Sequence, residues 1–134
     1  MCLLCRDDSY VSDLFNKHYD FDYYKLGDQS KFRNCEIENF RLVSEYLIGL
    51  GYHVFRMGKK VSKTFNLSNN KFIDYANSNK KSDFLDIFLS SNCDFFLTTG
   101  AGIDIIAAIF NKPIVLVSNA TISQLRSVNK KQLT

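Results

Sequence analysis

Short apolar runs alternate with longer amphipathic or polar stretches along this 134-residue chain. The first run, residues 2–5, ends abruptly in charge, which is typical of a strand buried on both faces of a parallel sheet. Similar runs at 52–57, 72–74, 95–97 and 114–117 predict four further strands.

The stretches between these runs predict helices. Asn34 and Ser82 each precede a helical pattern, and side chains of this kind accept hydrogen bonds from the first turn of a helix. The predicted helices therefore run from Asn34 to Gly51, over 83–91 and over 103–110. Residues 6–33 are too long for an ordinary connection, so we expect a functional loop there, with a short helix near 11–18.

Alternating strands and helices predict an α/β fold with a Rossmann-like, doubly wound parallel sheet of about five strands. The simplest strand order is 3-2-1-4-5, which places the first strand beside the fourth. We expect one domain over residues 1–119. The tail over 120–134 has weak helical character and no evident role in the core.

Composition limits the functional classes. The chain is 46% hydrophobic and 23% charged, as globular proteins are, and its net charge of +3 comes from scattered residues, so nucleic acid is not an expected partner. It lacks an apolar stretch of the roughly 18 residues that a membrane span needs and the layout of a signal peptide. We therefore expect a cytoplasmic protein, where its four cysteines need not pair.

Cys2 and Cys5 form a Cys-x-x-Cys motif, which can mark a zinc or redox site. In a strand, however, these two positions point to opposite faces, and Cys35 and Cys93 stand alone rather than as a second pair. We expect small buried core residues here, and neither a metal site nor a cofactor.

The predicted topology brings three strand ends to one crevice, at the point where the winding direction reverses. The first strand delivers Arg6 and Asp7, and the second delivers Arg56 and Gly58. The fourth strand is followed by a turn of small and hydroxylated residues, namely Thr98, Thr99, Gly100, Ala101, Gly102 and Ile103.

Such a turn before a helix lets backbone N–H groups approach an anion, and arginines offer planar donors for phosphate. We therefore expect a phosphate-bearing ligand. A tight turn without a ligand and plain salt bridges for Arg6 and Arg56 are the open alternatives. The dinucleotide fingerprint lacks its third glycine at Ile105, and no Walker triplet or Ser/His/Asp set is present, so NAD and ATP hydrolysis are not favoured.

Ordered motifs along residues 2–119 resemble a family of bacterial glycosyltransferases with a GT-B-like fold. They are Cys5-Arg6-Asp7, Phe32-Arg33-Asn34, Arg56-Met57-Gly58 and Lys81-Ser82-Asp83. Residues 93–117 also resemble the sugar-nucleotide half of heptosyltransferases and sugar-nucleotide epimerases.

The resemblance implies the C-terminal, sugar-nucleotide-binding half of an enzyme that moves a sugar from a nucleotide-sugar donor to a glycan acceptor such as a surface polysaccharide, with no cofactor. Asp7 and Arg56 are its candidate catalytic residues. The implied donor site comprises Arg6, Arg33, Arg56, Gly58, Ser82, Asp83 and the turn from Thr98 to Ile103. Asp83 as a helix cap and Arg33 as a support for the long loop remain alternatives.

The chain departs from this family in length, because a GT-B enzyme has two such domains and this sequence holds about one. We therefore expect a fragment of a longer protein that is peripheral to a membrane when complete, and doubtful activity for the fragment alone. A non-catalytic module for a nucleotide or sugar phosphate, and half of a sugar-nucleotide epimerase, are the alternative functions.

Overall fold

A parallel sheet forms the centre of the protein. A computed structural model describes residues 1–18, 34–118 and 132–133. Within them six strands are ordered β3-β2-β1-β4-β5-β6, and each neighbouring pair is parallel. The strands are β1 (Cys2–Leu4), β2 (Val54–Arg56), β3 (Phe72–Ile73), β4 (Phe96–Thr98), β5 (Ile114–Leu116) and β6 (Gln132–Leu133).

The expected α/β, Rossmann-like fold and the order 3-2-1-4-5 are thereby confirmed. One strand is new. β6 extends the sheet beyond β5 from within the tail, where two residues flanked by polar neighbours carry no strand pattern. The weak helical character expected elsewhere in the tail lies outside the described residues.

Helices lie between β1 and β2, between β3 and β4 and between β4 and β5, as expected. They are α1 (Ser9–His18), α2 (Arg41–Gly49), α3 (Asp83–Asn92) and α4 (Asp104–Ile109), with short 3-10 turns at Ile37–Phe40 and Tyr75–Asn77. Ser82 caps α3 as predicted, since its hydroxyl accepts the N–H of Leu85 at 3.1 Å. Asn34 does not cap a helix, because the 3-10 turn comes before α2 and the Asn34 amide donates to Asp8 instead.

The central strand β1 is buried on both faces, and its side chains alternate between two core clusters. Cys2 packs in one cluster with Ala107 of α4, while Cys5 packs in the other with Leu47 of α2. The two cysteines are therefore separated by the sheet, as expected, and burial raises the pKa of the Cys5 thiol to about 12. In the described part of the chain no group of three or more His, Cys, Asp or Glu side chains is arranged to hold a metal.

Arg56 is a charged side chain in this apolar interior, with an exposed fraction of 1%. Its Nη1 lies 3.3 Å from Asp74 Oδ2 and donates to the carbonyl oxygen of Lys63 at 2.6 Å. Asp74 Oδ2 also accepts the N–H of Phe65 at 3.1 Å and the amide of Asn77 at 2.7 Å. The buried ion pair thus folds the long β2–β3 connection over the end of β2.

Replacing Asp74 with alanine is expected to lower the free energy of unfolding by about 3–5 kcal/mol, because the Arg56 guanidinium would stay buried without a carboxylate. Urea unfolding followed by circular dichroism measures this change. Asp94→Ala, which removes an exposed carboxylate, is the matched control and should change the value by less than about 0.5 kcal/mol. Equal losses in the two variants would contradict the importance of the buried pair.

Helix length also bears on membrane association. Among the described residues, no helix is both long and apolar enough to cross a membrane.

Candidate functional site

A cleft of about 680 Å³ opens at the carboxyl edge of the sheet, beside the ends of β1 and β4. This is the point where the winding direction reverses and where ligands bind in sheets of this kind. The structure brings to it eight of the predicted site residues: Arg6, Asp7, Gly58, Asp83, Gly100, Ala101, Gly102 and Ile103.

The remaining predicted residues have other places. Thr98 and Thr99 are fully buried, with exposed fractions of 0%. Thr99 Oγ1 accepts the N–H of Arg6 at 2.8 Å, so it joins the ends of β1 and β4 rather than facing the cleft. Ser82 is occupied as the cap of α3. Arg33 lies outside the described residues.

The turn after β4 is held by a carboxylate from its own chain. Asp104 Oδ2 accepts the hydroxyl of Thr98 at 3.2 Å and the N–H of Ala101 at 2.9 Å, and Thr98 Oγ1 accepts the N–H of Gly100 at 3.0 Å. Two N–H groups that the sequence assigned to a phosphate are therefore used internally. Sequence reasoning missed Asp104, although an acidic residue in the first turn of a helix is a known partner for such N–H groups.

Gly102 remains as the open part of this turn. Apart from Gly102 itself and its two chain neighbours, no heavy atom of the described residues lies within 4 Å of the position that a Cβ would take there. Gly58, on the opposite wall, has a different role, since its φ of +155° lies outside the range of ordinary side chains and a Cβ would stand 2.8 Å from Val61. Gly58 thus shapes the cleft wall through its backbone.

Basic side chains reach the cleft already paired. Lys59 Nζ lies 2.5 Å from Asp83 Oδ1, and Lys60 Nζ lies 2.7 Å from Asp13 Oδ1. The hydrogen bond between Lys59 and Asp83 raises the pKa of the lysine and lowers that of the aspartate. Because water and salt screen exposed pairs of this kind and leave them weak, a ligand anion can replace either carboxylate at little cost.

Apolar side chains form the rest of the cleft lining. α1 contributes Tyr10 and Val11, α3 contributes Ile87, and the segment around α4 contributes Ile103 and Ile106. An apolar surface next to a few polar groups is the usual composition of a small-molecule site. The cleft can accordingly take a ligand with an apolar part and an anionic part.

Asp7 binds three donors at the rim of the cleft. Its Oδ2 accepts the N–H and hydroxyl of Ser62 at 2.8 and 3.0 Å, and its Oδ1 accepts the N–H of Ser9 at 2.9 Å. Burial raises the pKa of Asp7, but the bonds from Ser62 and Ser9 outweigh it, so the pKa lies below its ordinary value. A carboxylate with these properties is a weak general base and a strong anchor between β1, α1 and the β2–β3 connection.

Arg56 does not form a wall of the cleft. It lies beneath a neighbouring polar cavity of about 440 Å³, which shares Cys5 and Asp7 with the cleft. Arg56 was expected to donate hydrogen bonds to a phosphate in the crevice. In the structure it is instead the buried partner of Asp74.

Comparisons of the chain with protein-family models, curated proteins and solved structures found no match.

The hydrogen bonds of Asp7 predict a pH dependence. Folding lowers the pKa of Asp7 from its value of about 3.8 in the unfolded chain. The ionised carboxylate therefore stabilises the protein fully at a pH above that unfolded pKa, and this stabilisation is lost as the pH falls through the lower pKa of the folded protein. Asp7→Asn should therefore reduce the loss of unfolding free energy between about pH 5 and pH 2. Urea unfolding across this range measures the slope, with Asp94→Asn as control. Parallel curves for wild type and Asp7→Asn would refute this role.

Proposed function

We propose that this chain is the donor-binding half of a glycosyltransferase. In this proposal the cleft binds the nucleoside diphosphate of a nucleotide-sugar, and the sugar passes to a glycan acceptor such as a surface polysaccharide. The observation that carries the proposal is the cleft itself, which combines an apolar lining with exchangeable basic side chains at the reversal point of the sheet.

Each part of the donor has a matching surface. The planar base suits the apolar side chains of α1 and α4, and the diphosphate suits Arg6, Lys59 and Lys60, together with the open turn at Gly102. The resemblance of the ordered motifs to bacterial glycosyltransferases supports the same reading.

The same residues explain how the chain would assist transfer. When the bond between the sugar and the diphosphate breaks, negative charge develops on the departing phosphate oxygen. Lysines that exchange Asp83 and Asp13 for this oxygen would stabilise it. The buried hydrogen bonds of Thr98, Thr99 and Asp104 fix the turn beforehand, so little reorganisation is needed. The same proposal includes a cytoplasmic location, with the complete protein peripheral to a membrane.

Binding of a nucleotide-sugar should raise the melting temperature of the protein by several degrees, since a ligand at 100 times its Kd adds about 2.7 kcal/mol of stability. UDP-glucose, UDP-N-acetylglucosamine and GDP-mannose are suitable probes. Gly102→Leu should abolish the shift by filling the cleft. Gly49→Leu is the matched control, because Gly49 also has open space at its Cβ position but lies at the end of α2.

Absence of a shift with every nucleotide-sugar would refute the proposal, and so would an equal loss in the two leucine variants. Assays on the full-length protein separate the functions that share this cleft. Release of nucleoside diphosphate that depends on a glycan acceptor indicates transfer, whereas interconversion of the donor without an acceptor indicates an epimerase. Binding without turnover indicates a non-catalytic module.

A further inference from the structure

The polar cavity beside the cleft has a lining of its own. It is bounded by the start of α1, by residues 34–37 and by Ser62 and Lys63, and it meets the cleft at Cys5 and Asp7. Its volume of about 440 Å³ lies within the range of small-molecule sites. A ligand in the cleft could therefore extend into this cavity past Asp7.

Two buried polar groups at this cavity lack hydrogen bonds. Arg56 Nε, on a side chain that is 1% exposed, and Asn34 Oδ1 have no partner among the described residues. More than nine in ten buried polar groups in proteins are bonded, so two exceptions at one cavity call for a partner. The rest of each side chain is fixed, Arg56 by Asp74 and Asn34 by Asp8. Two residues of the lining therefore each hold one polar atom that no hydrogen bond uses.

The charges of the lining decide which kind of group fits. The lining contains three carboxylates, on Asp7, Asp8 and Glu36, and two cations, Lys63 and Arg56. Both cations are already paired, because Lys63 Nζ lies 2.5 Å from Glu36 and Arg56 contacts Asp74. A phosphate would meet this excess of carboxylates and be repelled. A neutral group with several hydroxyls would not, because each hydroxyl can donate to a carboxylate or to Asn34 and accept from Arg56.

We propose that this cavity is the sugar subsite of the donor site, a proposal that rests on the function proposed above. The nucleoside diphosphate occupies the cleft, and the sugar ring enters the neighbouring cavity past Asp7. Asn34 Oδ1 accepts a sugar hydroxyl, and Arg56 Nε donates to a sugar oxygen. Asn34 is thereby assigned a binding role that differs from the helix cap expected from the sequence.

Isothermal titration with UDP, UDP-glucose, GDP and GDP-mannose tests the subsite. The sugar should strengthen binding of at least one nucleotide, and Asn34→Leu should reduce that gain about three- to tenfold, as expected for one lost hydrogen bond, while affinity for the nucleotide alone stays unchanged. Retained nucleotide affinity also shows that the variant is folded.

Asn66→Leu is the matched control, since Asn66 is exposed and lines neither cavity. If neither nucleotides nor nucleotide-sugars bind, the subsite and the proposed function are both refuted. If nucleotides bind but the sugar adds nothing, or if Asn34→Leu keeps the full gain, the subsite alone is refuted.

Discussion

A guanidinium stays charged even when it is buried, so it needs partners inside the protein, and the burial of Arg56 constrains the segments that supply them around the end of β2. Its contacts with the Lys63 carbonyl and with Asp74 hold the middle of the β2–β3 connection and the residue after β3 against the end of β2. That connection carries Ser62 to Asp7 and supplies Lys59 and Lys60 to the cleft. The cleft at the sheet edge therefore depends on an ion pair that is not part of its lining.

Hydrophobic pattern alone was sufficient to predict five of the six strands that the structure describes. Even a run of three apolar residues can be recognised as a strand here. β1 and β4 are buried on both faces, so nearly all of their side chains must be apolar. Right-handed crossovers limit the possible orders, and the simplest doubly wound order among them places Arg6 and Asp7 beside the turn after β4. β6 could not be predicted, since a two-residue edge strand depends on its neighbour and has no pattern of its own.

For the candidate site, the position of the cleft could be predicted from the sequence, whereas the hydrogen bonds and ion pairs of its residues could not. Sequence places Arg56 and Thr98 at strand ends, but it does not show that each meets an internal carboxylate, Asp74 or Asp104. These pairings depend on side chains brought together from segments between the strands. Residue type indicates what a group can bind, while burial decides whether that group is still available to a ligand.

The paired lysines have a consequence for how a ligand arrives. Arg6, Lys59 and Lys60 in the cleft lining are matched by Asp7, Asp83 and Asp86, so the lining carries no net charge. Long-range attraction of an anion requires an excess of positive charge, and a cleft lining without net charge would attract an anion little from a distance. Encounter with a charged ligand would then proceed by ordinary diffusion, and discrimination would begin only at contact, when a phosphate displaces a carboxylate.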